Sequence, residues 1–288
     1  MYYIYAELTH FCDILILLER IFSSMFEFKE RYNIDDLVNI VSILRSENGC
    51  PWDKVQTHES IRKDFIEEVY EVIEAIDLKD TSLLKEELGD VLLNTVFHAQ
   101  IETENNNFNF DDVCNDICQK MIVRHPHVFG DVSANTTDQV LNNWDKIKMN
   151  TKGQTTYTET LDSVAKSLPA LMRAEKIGKR ASKANMDFQS VQDALQSVKD
   201  ETIELQQAID SNSSQDVYEE FGDLLFSCVN LARKLGIDSE RSLVDATNKF
   251  IDRFSKTEQL IRSNGIEDMK SLDIHQLDAY WQKAKTLN

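Results

Sequence analysis

Glycine and proline are scarce, 8 and 3 in 288 residues. With so few helix breakers and few runs of apolar–polar alternation, a turn-rich β architecture is excluded and an all-α fold is expected. The five cysteines are odd in number and contain no CxxC, which excludes a disulfide framework and fits a reducing compartment. Cys114 and Cys118, followed by His125 and His127, do not have a usual zinc spacing, so the two thiols are expected in the core. Long apolar runs are missing too: Ile14 to Leu18 is too short to span a membrane. Residues 1–13 carry Glu7 and Asp13 and no Lys or Arg, unlike a signal peptide, so a cytoplasmic protein is expected. Positive charge is in deficit, 31 Lys and Arg against 50 Asp and Glu, a formal net charge of −19. That argues against a nucleic-acid polymer as partner, since phosphate contacts need clustered cations. It leaves room for a nucleotide, because a bound divalent cation reverses the local field. There is no GxxxxGK[ST] and no His-Asp dipeptide, which disfavours a Walker-type ATPase and a hydrolase built on that pair.

What the chain does contain is a repeat. Glu68, Glu71, Glu87 and Asp90 recur as Glu201, Glu204, Glu220 and Asp223, each shifted by 133 residues. Gly89 recurs as Gly222, and Ala75-Ile76-Asp77 as Ala208-Ile209-Asp210. Each half reads as a helical hairpin. In the first, an apolar side of Phe65, Ile66, Val69, Val72, Ile73 and Ile76 precedes a turn at Asp77–Asp80, and Asp80 or Thr81 caps the next helix. Residues three apart share a helix face, so each hairpin can oppose two acidic pairs. A lone Glu on a helix is usually a solvated surface residue. Four acids this close repel unless a cation lies between them, and an all-oxygen ligand set suits Mg²⁺, with Mn²⁺ as a substitute.

Around the hairpins the order of residues also repeats. Asp35 or Asp36 can cap a helix with Leu37, Ile40, Val41 and Leu44 on its apolar face, Glu47–Asp53 is a loop, and Thr57–Ser60 can start the first hairpin helix. A later helix from about Asp111 carries Lys120 and Arg124 and ends at His125-Pro126-His127, and Trp144 closes the half. In the second half a helix runs from Leu171 to Ala184, Ser213 with Asp216 is a possible capping box, and Lys249, Arg253 and Trp281 follow in the same order. Residues 1–33 are read as an N-terminal extension with a helical pattern from Phe11 to Phe22, 34–150 as the first repeat, 151–160 as a linker and 161–288 as the second repeat. Metal-bound carboxylates with two cations one helical turn apart and a Trp suit a nucleoside triphosphate: Lys249 and Arg253 would neutralise phosphate charge, and Trp281 would stack on a base. Taken singly, these three are surface residues or a core anchor, and only their recurrence raises them.

The EExxE…ExxD arrangement resembles the MazG family of nucleoside triphosphate pyrophosphohydrolases, within the all-α NTP pyrophosphatase superfamily. Asn48-Gly49-Cys50-Pro51-Trp52-Asp53, Gln56-Thr57-His58-Glu59, Glu86-Glu87-Leu88-Gly89-Asp90, Arg124–Gly130 and Glu220-Phe221-Gly222-Asp223 all read like a two-repeat member over roughly residues 34–288. The resemblance implies a helical homodimer that converts an NTP and water to NMP and pyrophosphate with Mg²⁺, as nucleotide-pool house-cleaning. Glu201, Glu204, Glu220 and Asp223 match the family's metal ligands, and Glu68, Glu71, Glu87 and Asp90 match the same motif. Lys249, Arg253 and Trp281 match its nucleotide-contacting and catalytic positions, and Glu201 is carried over as catalytic. Asp200, Thr247 and Met186-Asp187-Phe188 depart from the usual family residues. Activity in such members is generally ascribed to the second repeat, so catalysis is expected there. Two alternatives are a nucleotide-binding regulatory protein without turnover and a di-iron bundle. The latter needs two Glu-x-x-His motifs, and the chain has one, at Glu7–His10.

Overall fold

The computed structural model describes residues 26–133, 136–151 and 153–287. All its regular elements among these residues are helical, as the composition implies. The helical pattern from Phe11 to Phe22 lies outside the described residues. The chain divides into two compact units, Met1–Trp144 and Asp145–Asn288.

The first unit is built on α1 (Ile34–Arg45), α2 (Arg62–Leu78), α3 (Thr81–Glu104), α4 (Phe110–Arg124) and the short α5 (Pro126–Phe129). Asn33, not Asp35 or Asp36, caps α1: its side chain accepts from the Asp36 amide while Asp36 accepts from the Asn33 amide. Thr57–Ser60 forms side-chain-bonded turns instead of helix, and α2 starts at Arg62. The turn between the hairpin helices is tighter than Asp77–Asp80. Helix α2 runs to Leu78, Lys79 takes a left-handed conformation, and Asp80 caps α3. Pro126 ends α4 yet opens α5, where its missing N–H costs nothing. The core gathers Val41, Ile61, Val96, Phe97 and Ile101, with Leu37 and Phe110 packed against it.

The second unit repeats the plan with α8 (Ala170–Ser182), α9 (Val191–Asp210), α10 (Ser214–Leu235), α11 (Ser239–Ser263) and α12 (Ile274–Thr286). Ser213 caps α10 by accepting from the Asp216 amide, without a reciprocal bond. Two further helices, α6 (Thr137–Thr151) and α7 (Tyr157–Asp162), take up much of the stretch 151–160 that the sequence suggests as a linker. The polar run folds because Thr156 and Glu159 form a capping box.

The hairpins bury only part of the stripe that hydrophobicity suggests. On α2, Ile66, Val69, Ile73 and Ile76 are exposed, while Phe65, Glu68, Val72 and Ala75 turn inward. On α9 the inward stripe is Ala194, Ser197, Glu201, Leu205 and Ala208, and Ile203 is 54% exposed. A two-helix hairpin covers only one edge of each helix, so the wider apolar face has no partner within its unit. Glu68, Glu87, Glu201 and Glu220 lie on the covered edge, while Glu71 and Glu204 are exposed at its rim. Cys114 is half-buried and Cys118 exposed: both follow Phe110 at four-residue spacing on one face of α4, and that face leaves the core toward the end of the helix.

Candidate active site

In both hairpins the inward stripes bring acids together. Glu68, Glu71 and Glu87 each offer an oxygen, all within 4.8 Å of one another, and so do Glu201, Glu204 and Glu220. Asp90 and Asp223 stand beside these triads, outside the 4.8 Å grouping. They still act on them: Asp90 raises the affinity of Glu68 and Glu87 for protons, and Asp223 that of Glu201 and Glu220. The larger cause in all four is loss of water around the carboxylate, and repulsion from neighbouring acids comes next, so each titrates above the ordinary Glu range.

Among the described residues, no Lys, Arg or His pairs with any of these six glutamates. Glu87 is only 8% exposed. A buried carboxylate among carboxylates, with no cation, is costly. The donor set fits a hard divalent ion: oxygens around octahedral Mg²⁺ stand at most about 4.2 Å apart.

The basic residues form a separate group. On α11, Lys249 is exposed, while the Arg253 guanidinium sits 5.2 Å above the Trp281 ring, which Phe250 also meets at 5.1 Å. The first unit mirrors this, with Arg124 5.4 Å above Trp144. There, however, His125 meets Trp144 edge-on at 4.9 Å. In both units the Trp is engaged by the Arg one helix away, and no ion pair joins these cations to the acids.

The units differ most beside the acids. In the second, Glu201 borders a cavity of about 560 Å³. Its apolar walls include Leu161, Ile177, Phe188 and Phe226, and its polar groups besides Glu201 are Ser197, Ser227, Asn230, Asp187 and Arg233. Ser227 Oγ donates to Glu201 Oε1 at 3.4 Å and lies 3.1 Å from Ser197 Oγ. Arg233 holds one side, donating to Asn230 Oδ1 through Nε and Nη2 (3.3 and 3.2 Å) and to both oxygens of Asp187. That guanidinium keeps the Asp187 carboxyl below the usual range. Lys234 clamps the same loop by donating to the Phe188 carbonyl at 2.7 Å.

At the positions 133 residues earlier the first unit has bulk. Phe97 stands for Asn230 and is 6% exposed in the core, and Arg45 stands for Gly178 with its guanidinium 5.0 Å above the Phe97 ring. Arg45 is anchored by both Glu104 oxygens and by the Asp53 and Gln56 carbonyls. The first unit also has a histidine pair. His58 Nε2 bonds Glu102 at 2.6 Å, and His58 Nδ1 lies 2.7 Å from His98 Nδ1, pinning the Gln56–Glu59 segment to α3. Burial pushes His98 down, which suits a neutral ring here.

The cavity residues and the histidine pair escape a reading based on the acid motif. Their signal lies in where the repeat fails: a buried Phe becomes Asn, and an Arg becomes Gly, at fixed offset.

The MazG nucleotide pyrophosphohydrolase domain family matches the chain twice, over residues 56–129 and 189–257. Both matched stretches contain one acid triad. The chain is 44% identical over 251 residues to the nucleoside triphosphate pyrophosphohydrolase/pyrophosphatase MazG of Thermotoga maritima, spanning 87% of this chain and 95% of that protein. It is 41% identical over 257 residues to the nucleoside triphosphate pyrophosphohydrolase of Escherichia coli K12, spanning 88% and 97%. The uncharacterized protein YabN of Bacillus subtilis is 42% identical over 248 residues, which is 86% of this chain and 50% of YabN.

Proposed function

The chain belongs to the MazG family, and we propose that it hydrolyses nucleoside triphosphates to the monophosphate and pyrophosphate, with its second unit as the working site. The observation that carries this is the cavity adjoining Glu201, which gives room beside the carboxylates for a nucleotide; at the sequence positions 133 residues earlier the first unit has Phe97 and Arg45, packed on each other. The similarity to proteins named for this reaction supports the same reading.

Glu201, Glu204 and Glu220, with Asp223 beside them, would hold Mg²⁺, or Mn²⁺ in its place. When bound, the ion supplies charge neutralisation on the phosphates. The chain's residues do the rest. Glu201, steadied by the Ser227 hydroxyl, positions water and takes its proton. Lys249 and Arg253 meet the negative charge that grows on the departing pyrophosphate. Trp281, flanked by Phe250 and capped by Arg253, acts by fixing that guanidinium, a positioning part in nucleotide binding. The first unit's acids, Glu68, Glu71, Glu87 and Asp90, form a matching metal site that serves structure or binding. The cellular role is clearance of unwanted nucleotides in the cytoplasm, with neither nucleic-acid polymer nor membrane as partner. No helix among the described residues is long and apolar enough to cross a membrane.

Attack at the α-phosphorus places the new oxygen on the monophosphate. Hydrolysis in ¹⁸O-water, read by mass spectrometry, is expected to label NMP and leave pyrophosphate unlabelled. Label confined to pyrophosphate or orthophosphate contradicts the reaction.

The proposal includes a second copy of the chain. Phe221, Leu225 and Tyr218 are exposed on α10 around Gly222, where nothing lies within 4 Å of an added Cβ. Gly89 is equally open beside exposed Leu88 and Leu92. A glycine inside a helix costs about 1 kcal/mol against Ala. Its place on an apolar face suits close approach of another helix, and a matching copy supplies the same surface. Sedimentation equilibrium is expected to give twice the 33.2 kDa chain mass. A monomer at micromolar concentration, with Leu225→Glu unchanged in behaviour, rules the dimer out.

A further inference from the structure

The cavity beside Glu201 is within the usual range for small-molecule sites, roughly 300–1,000 Å³, with mostly apolar walls and few polar groups. One of those polar groups is fixed unusually well. Asn230 is 7% exposed. Its Oδ1 faces two N–H groups of Arg233, and a guanidinium has donors only, so the amide orientation is forced. Nδ2 then donates one hydrogen to the Phe226 carbonyl at 3.2 Å. Among the described residues the second Nδ2 hydrogen has no acceptor, in a residue that lines the cavity. Arg233 is itself held by Asp187, so the amide is locked from behind.

Gly178 is part of the same arrangement. A Cβ there would stand 2.6 Å from Asn230 Oδ1 and 3.0 Å from Arg233 Nε, so any side chain displaces the amide or its anchor. Glycine at this point leaves the Asn230–Arg233 pair intact, where the first unit instead has Arg45 over Phe97.

Resting on the pyrophosphohydrolase reading, we propose that this cavity receives the nucleobase and that Asn230 is a specificity-determining residue, selecting bases that present a keto oxygen over those that present an amino group. A locked N–H donor meets a carbonyl oxygen as a hydrogen bond and an exocyclic amine as two opposed donors. Phe188 and Phe226 offer flat apolar surface to the ring faces. Ser197 and Ser227, bonded to each other and, through Ser227, to Glu201, would offer hydroxyls toward the sugar. Buried polar groups left unpaired by the wrong ligand are the strongest source of such discrimination.

The test compares kcat/KM for GTP against ATP and UTP against CTP, with Mg²⁺ and pyrophosphate as the measured product. The wild-type protein is expected to favour the keto member of each pair. Asn230→Asp keeps the shape and the Arg233 contact but exchanges the donor for an acceptor. It is expected to lower both ratios about tenfold or more, mainly through KM for the keto substrates. Gly178→Ala is expected to raise KM for all four nucleotides while kcat changes less. Circular dichroism checks that both variants fold. Turnover by folded Asn230→Asp with both ratios unchanged overturns the inference and leaves the pyrophosphohydrolase reading standing. Failure of the wild-type protein to release pyrophosphate from any of the four overturns that reading and this inference with it.

Discussion

Glu201→Ala is expected to lower kcat about 10²–10³-fold, the scale on which single charge-positioning groups act. Its carboxylate lies in the triad with Glu204 and Glu220, carries the Ser227 hydrogen bond and borders the cavity. The loss is expected in kcat more than in folding, because removing one of several mutually repelling acids relieves strain in the metal-free protein. Glu68→Ala in the first unit removes the residue at the same place in the other triad and is expected to leave most of the turnover. Steady-state kinetics on both variants, with melting curves to confirm folding, reads the contrast. If Glu68→Ala abolishes activity in a folded protein and Glu201→Ala does not, the working unit is the first.

Removing divalent metal is expected to stop turnover and to loosen the fold. Glu68, Glu87, Glu201 and Glu220 all hold protons more tightly than ordinary glutamates, chiefly because they are partly stripped of water and then because acids surround them. A cation bound by the folded chain alone offsets that cost. One such site at a hundred times its Kd contributes about 2.7 kcal/mol, on the order of 5–10 °C in melting temperature for a chain of this size. Thermal melts in EDTA and in millimolar Mg²⁺ read the difference. Equal melting temperatures across a wide range of Mg²⁺ concentration contradict a metal site in either unit.

The helical fold and the pairing of acids were legible because both depend on local spacing. Glu68 and Glu71 share a face by geometry alone, and Asp80 caps α3 as its side chain allows. The identity of the buried stripe was not legible. Ile66, Val69, Ile73 and Ile76 outrank Glu68 and Ala75 in hydrophobicity, yet the hairpin's contact edge takes the latter two. That choice depends on which helix lies alongside, and one helix's own pattern does not contain it. The fourth acid of each set, Asp90 or Asp223, stands beside its triad and acts on it through charge. Lys249, Arg253 and Trp281 were found in order, and the structure seats the Arg253 guanidinium over the Trp281 ring. The cavity is a tertiary property. Leu161, Ile177, Phe188, Phe226 and Asn230 come from four segments, and in one dimension it is marked only by the exchanges of Phe97 for Asn230 and of Arg45 for Gly178 across the repeat.

The central claim, that this chain splits nucleoside triphosphates between the α- and β-phosphates, is tested most directly by quantifying products. The full chain with Mg²⁺ and a panel of NTPs and dNTPs is expected to release NMP and pyrophosphate in equal amounts, with no nucleoside diphosphate at any time. Nucleoside diphosphate with orthophosphate, or tight nucleotide binding without any cleavage across the panel, contradicts it.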